Sequence, residues 1–147
     1  MRFKAAALIV ASLLGGAPAR AQVIFKVLLP STKSIASETI QALEQQLILP
    51  ADAAPLTTYD RYYAPGLLET REVIVGVFLK RPVRMREGAQ LLAGFLSAYT
   101  TTVEKLPRIP GGRCNVVTLY FDVAKAQFIK LPVKGKDPQV AVCNSLN

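Results

Sequence analysis

The sequence predicts an α+β fold, one main helix packed on a curved antiparallel sheet. Three observations lead there. A single run has helical periodicity over a useful length, several others are β-branched or alternate with period two, and turn residues separate them at short intervals. The predicted order is strand, helix, then several strands linked by turns.

The first 21 residues read as an export signal. Met1-Arg2-Phe3-Lys4 is a cationic start, residues 5–14 are apolar, and Ala19-Arg20-Ala21 is a small-x-small cleavage site. The apolar run is too short to cross a bilayer as a helix, and no comparable run follows, so no transmembrane segment is expected in the mature chain. Residues 1–21 therefore read as a signal peptide and residues 22–147 as one globular domain, long enough to bury a core. The expected location is periplasmic or secreted.

Within that domain, residues 23–29 (VIFKVLL) are β-prone and end at Pro30, which reads as a first strand or an extended arm. Residues 35–49 (IASETIQALEQQLIL) place Ala36, Ile40, Leu43 and Leu47 on one helical face and Glu38, Gln41, Glu44 and Gln45 on the other. Ser34 is the expected N-cap, and Pro50 stops the run. Residues 50–66 (PADAAPLTTYDRYYAPG) carry three prolines and read as a long surface connection.

Residues 71–80 (REVIVGVFLK) read as a central strand. Val73, Val75, Val77 and Leu79 lie on one face and Ile74 and Phe78 on the other, which requires cover on both sides. Residues 89–97 fit either a helix or a loop; Gly88 and Gly94 favour a loop or short turn, followed by a strand over roughly 95–105. Residues 114–121 (CNVVTLYF) form a strand, residues 122–125 a turn, and residues 127–133 a return leg. Lys134-Gly135-Lys136-Asp137-Pro138 interrupts that leg and residues 139–143 complete it.

The two cysteines, Cys114 and Cys143, suit one disulfide in an oxidising compartment; a catalytic or metal-binding pair lacks both CxxC spacing and histidine. On the hairpin reading, the bridge ties the open end opposite the turn. The chain has 18 basic and 10 acidic residues, a net charge of +8. Arg2, Lys4 and Arg20 leave with the signal, so the mature domain keeps 15 basic residues and a charge of +5.

Histidine is absent, which removes the usual general base and the commonest zinc ligand, so no catalytic residue, metal or cofactor is assigned. The acids Asp60, Glu69, Glu72 and Glu87 fall in different segments without a spacing that pairs them. No glycine-rich loop precedes a helix, and no basic face with interleaved aromatics suggests nucleic acid.

Two groups remain as candidate binding residues. Tyr59, Asp60, Arg61, Tyr62 and Tyr63 concentrate three of five tyrosines in one stretch, either a loop packed on the core or a contact surface. Lys80, Arg81, Arg84 and Arg86 form a local basic cluster, either a solvated sheet edge or a site for an anionic partner. The expected function is a non-enzymatic envelope domain that binds a protein or a small ligand. An envelope structural or stress protein contacting anionic lipid is the alternative, and a carboxylate-dependent enzyme is a third.

Asp60-Arg61-Tyr62-Tyr63-Ala64, residues 111–117 (GGRCNVV), Tyr120-Phe121-Asp122 and Cys143-Asn144 resemble a group of small exported bacterial proteins of unassigned function. That resemblance implies an exported domain with a paired cysteine and no particular chemistry. The order of elements is similar to that of cystatins, and Glu72-Val73-Ile74-Val75-Gly76 resembles the Q-x-V-x-G segment by which they block cysteine proteases. Here glutamate replaces the glutamine, β-prone residues continue past Gly76, and tryptophan is absent. A buried strand accounts for the run.

Overall fold

The computed structural model describes residues 28–81, 90–91, 97–109 and 113–143. Strand accounts for 46% of them and helix for 19%, and only ten residues form an α-helix. The fold is therefore sheet-dominated. It is not the predicted single helix on a curved antiparallel sheet, and the cystatin-like order falls with that prediction. The chief cause is that residues 59–66, the second half of the connection expected over residues 50–66, belong to a ten-residue strand at the centre of the sheet, Tyr59–Leu68.

In chain order the elements are β1 (Leu28–Pro30), α1 (Ser37–Gln46), β2 (Tyr59–Leu68), β3 (Arg71–Lys80), β4 (Gln90–Leu91), β5 (Ala98–Thr100), β6 (Val116–Asp122), β7 (Gln127–Phe128), β8 (Leu131–Val133), β9 (Lys136–Gln139) and β10 (Ala141–Val142). The main sheet has eight strands. Its path runs β10-β6-β3-β2-β5-β4, with β1 added to β2 and β7 to β6; β8 and β9 form a separate two-stranded sheet.

The hairpin of β2 and β3 pairs ten residues on each side, from Tyr59↔Lys80 to Leu68↔Arg71. Its two-residue turn places Glu69 at φ 61, a left-handed position that glycine, asparagine or aspartate fills more readily. β6 lies antiparallel along the other side of β3, from Leu79↔Val116 to Val73↔Asp122. The outer edge of β2 is shared. β5 runs parallel to it along Arg61, Tyr62 and Tyr63, and β1 runs antiparallel along Gly66, Leu67 and Leu68. This parallel pairing makes the sheet mixed. Pro65 falls between the two partners, where its carbonyl accepts from Ser31 N–H at 3.3 Å, so the missing proline N–H interrupts neither pairing.

Helix α1 forms from strong helix formers free of glycine and proline, with Glu38 in the first turn. It starts later than the periodicity predicted. Ala36 is the N-cap and provides no side-chain hydrogen bond, so Ser34 does not cap it. Ile40 and Leu43 are fully buried on the sheet face bearing Tyr59, Tyr63, Phe78 and Val117. Complete burial of each of these two residues stabilises by about 1.5–3 kcal/mol.

The opposite face carries Tyr62, Val73, Val75, Val77 and Leu79 under a cover of Val103, Leu106 and Ile109. Both faces of β3 are thus covered, and Val73 to Leu79 are buried without a break. Gly76 is required by close approach: a Cβ there would lie 2.9 Å from both Cγ and Cδ1 of Leu119.

The C-terminal hairpin is close to its sequence reading. β6 ends at Asp122, whose Oδ1 accepts from Lys125 N–H at 3.0 Å across the turn. The return leg pairs with β6 twice, first as β7 at Phe121↔Phe128 and again as β10 at Leu119↔Ala141. Between them, β8 and β9 leave the main sheet, so residues 131–133 belong to their own hairpin instead of the ladder on β6. The Cys114–Cys143 disulfide closes the open end with a Cα–Cα distance of 4.4 Å.

Candidate functional site

Tyr59, Tyr62 and Tyr63 are each 0% exposed, Asp60 6% and Arg61 7%. The stretch is a core strand instead of the expected loop, and strand alternation sends its side chains to both covered faces. Tyr59 hydroxyl accepts from Ala54 N–H at 3.0 Å and donates to the Cys114 carbonyl at 2.7 Å. Tyr62 stacks on Tyr99 at a centroid distance of 5.2 Å.

Under the helix the polar side chains converge on Glu44, which the periodicity had placed outward. Arg61 Nη1 donates to Glu44 Oε2 at 2.7 Å, and Tyr63 OH donates to Glu44 Oε1 at 2.7 Å. The Arg61 and Glu44 side chains are 9% and 13% exposed. Burial and then the Glu44 carboxylate raise the Tyr63 phenol well above its ordinary pKa, against a smaller opposing effect of Arg61. The hydroxyl therefore stays protonated and donates throughout the neutral range. This network ties helix to sheet.

The basic cluster divides. Lys80 and Arg81 are exposed at the end of β3, whereas Arg84 and Arg86 lie outside the described residues. Arg81 is largely occupied: its Nη2 donates to the Thr57 carbonyl, and its Nε lies 3.9 Å from Asp60 Oδ1. Of the acids considered from sequence, Glu72 pairs with Lys33 and Glu69 lies 3.9 Å from Arg71. Glu87 is outside the described residues.

Among the described residues, two clefts open on the surface. One, of about 170 Å³, lies between the start of α1 and β3; its only charged lining residues, Lys33 and Glu72, pair with each other. The second, of about 340 Å³, lies beside the disulfide. One wall is the segment after the helix, with Pro50 and Asp52; the other is the β8–β9 hairpin, with Lys134, Lys136 and Gln139; Val142 and Cys143 complete it. Gly135 at φ 73 makes the turn between the two lysines, in open space. Among the described residues, Asp52, Lys134 and Lys136 make no ion pair or side-chain hydrogen bond.

No family model, curated protein or solved structure matches the chain. The larger cleft is not legible in sequence because its walls, residues 50–52 and 132–143, come from segments about 80 residues apart. The one legible sign was the Lys-Gly-Lys-Asp-Pro interruption at residues 134–138. Among the described residues, no group of histidine, cysteine, aspartate or glutamate is placed to hold a metal, and no helix is long and apolar enough to cross a membrane.

Proposed function

We propose that this chain is an exported, non-enzymatic domain that binds a small ligand in the cleft beside its disulfide. The observation that carries the reading is that cleft: about 340 Å³, walled by two separate segments, with three charged side chains that form no ion pair among the described residues. Its volume falls in the range of small-molecule sites, about 300–1,000 Å³. The N-terminal signal pattern and the Cys114–Cys143 bridge support export to an oxidising compartment.

The geometry also supports binding over carboxylate catalysis. Asp60 is opposite Leu79 and Glu72 is opposite Leu67, so seven register steps, about 23 Å, separate the two acids along the hairpin. Paired catalytic carboxylates in glycosidases stand about 5–9.5 Å apart. Each of the two clefts holds one acid, Glu72 or Asp52.

Native mass spectrometry of protein purified from the periplasm tests the reading. The expected spectrum has a mature chain starting at Gln22, shows small-molecule adducts, and loses them when Gln139→Trp fills the cleft. Adducts that persist in the variant, or are absent from both proteins, would remove the cleft as the site.

A further inference from the structure

The larger cleft is lined by charges of both signs from two separate segments of the chain. Asp52 comes from the segment following α1, and Lys134 and Lys136 come from the β8–β9 hairpin. Elsewhere in the domain, opposite charges that share a site neutralise each other, as Lys33 does with Glu72 and Arg61 with Glu44. Here they do not. A purely anionic ligand would satisfy the lysines and face repulsion from Asp52; a purely cationic one would do the reverse.

We propose that the cleft takes a zwitterion of amino-acid or dipeptide size, with its carboxylate held by Lys134 and Lys136 and its ammonium held by Asp52. This rests on the cleft being the ligand site. Hydrogen bonds between oppositely charged groups are the stronger kind, and two such contacts at opposite ends fix a short ligand's orientation. Gln139, on the same wall as the lysines, offers an amide that both donates and accepts, which suits a peptide unit between the charged ends. Pro50 and Val142 supply apolar contact for small side chains. The volume is near the lower end for small-molecule sites, which favours a short ligand over a long peptide.

The test uses the oxidised mature protein and four probes: L-alanyl-L-alanine, its N-acetyl form, its C-terminal amide, and the doubly blocked peptide. Binding is measured by isothermal titration. The free dipeptide is expected to bind, and each single block to weaken it by about tenfold, the loss of one charged contact. Asp52→Asn should bring free and N-acetylated peptides to within about twofold of each other, and Lys134→Gln with Lys136→Gln should do so for acid and amide. All three positions border an open cleft, and circular dichroism checks that each variant folds.

Equal binding of all four peptides, or failure of the free dipeptide to bind at millimolar concentration, overturns the proposal. If Gln139→Trp still removes native adducts when the dipeptides fail, the ligand class is wrong and the site stands. If those adducts are also missing, the site reading fails with it.

Discussion

Substituting Glu44 with glutamine separates the polar tie between helix and sheet from the apolar packing around it. Glu44 Oε2 accepts from Arg61 and Oε1 from Tyr63, both at 2.7 Å. A carboxylate satisfies both donors, whereas an amide has one accepting oxygen and turns N–H groups toward the second donor. At least one contact is lost, and Arg61 loses a carboxylate partner in a site where its side chain is 9% exposed. Removing one member of a buried ion pair costs about 3–5 kcal/mol. Because Glu44 retains some solvent contact, we expect about 3 kcal/mol, the lower end of that range. For a domain of this size that corresponds to a fall in Tm of roughly 12 °C. Urea unfolding followed by far-ultraviolet circular dichroism measures it directly, and an unchanged m-value would locate the loss in the folded state. Replacing both Glu44 and Arg61 by apolar residues should cost less than the single substitution. A loss below about 1 kcal/mol for Glu44→Gln would refute the reasoning and show that apolar contacts alone hold the helix.

Three further outcomes follow from the same structure. The Tyr63 pKa is raised in the fold, so its contribution is present below about pH 10, the ordinary tyrosine value, and is lost as pH rises further; wild type should therefore lose stability above pH 10 more steeply than Tyr63→Phe, as read by urea midpoints across pH 8–11. Cys114→Ser with Cys143→Ser removes a bridge of sequence separation 29 and should cost about 3–4 kcal/mol by chemical denaturation. Gly76→Ala should cost about 2 kcal/mol by overpacking, because Leu119 is fully buried 2.9 Å from the new carbon, and a Leu119→Ala background should reduce that cost in a double-mutant cycle.

The parts of the fold legible in sequence are those whose signal is local. The two-faced apolar pattern of residues 71–80 identified a central strand because strand periodicity lies entirely within ten residues. The helix was legible from Ile40 and Leu43, although Glu44 was assigned to solvent because periodicity gives direction without revealing a buried arginine opposite. β2 was obscured by three features. Pro65 argued against a central strand, Asp60 and Arg61 look like surface residues, and the proline-rich run before Tyr59 continued the appearance of a loop. The aromatic enrichment was the correct strand signal, and it lost to that punctuation. Pairing of β5 with β2 and of β1 with β2 depends on long-range partners, and no local pattern specifies them. The cysteines were legible as a pair by number, and their position at the open hairpin end followed from the turn at residues 122–125. The candidate site was scarcely legible, since its charges gain meaning only when residues 50–52 meet the β8–β9 hairpin.

Chemical-shift mapping during titration with L-alanyl-L-alanine tests the central claim most directly. The largest backbone amide shifts are expected at Ala51, Asp52, Lys134, Gly135, Lys136, Gln139 and Cys143. Shifts centred instead on Lys33 and Glu72, or an unchanged spectrum at saturating peptide, would contradict it.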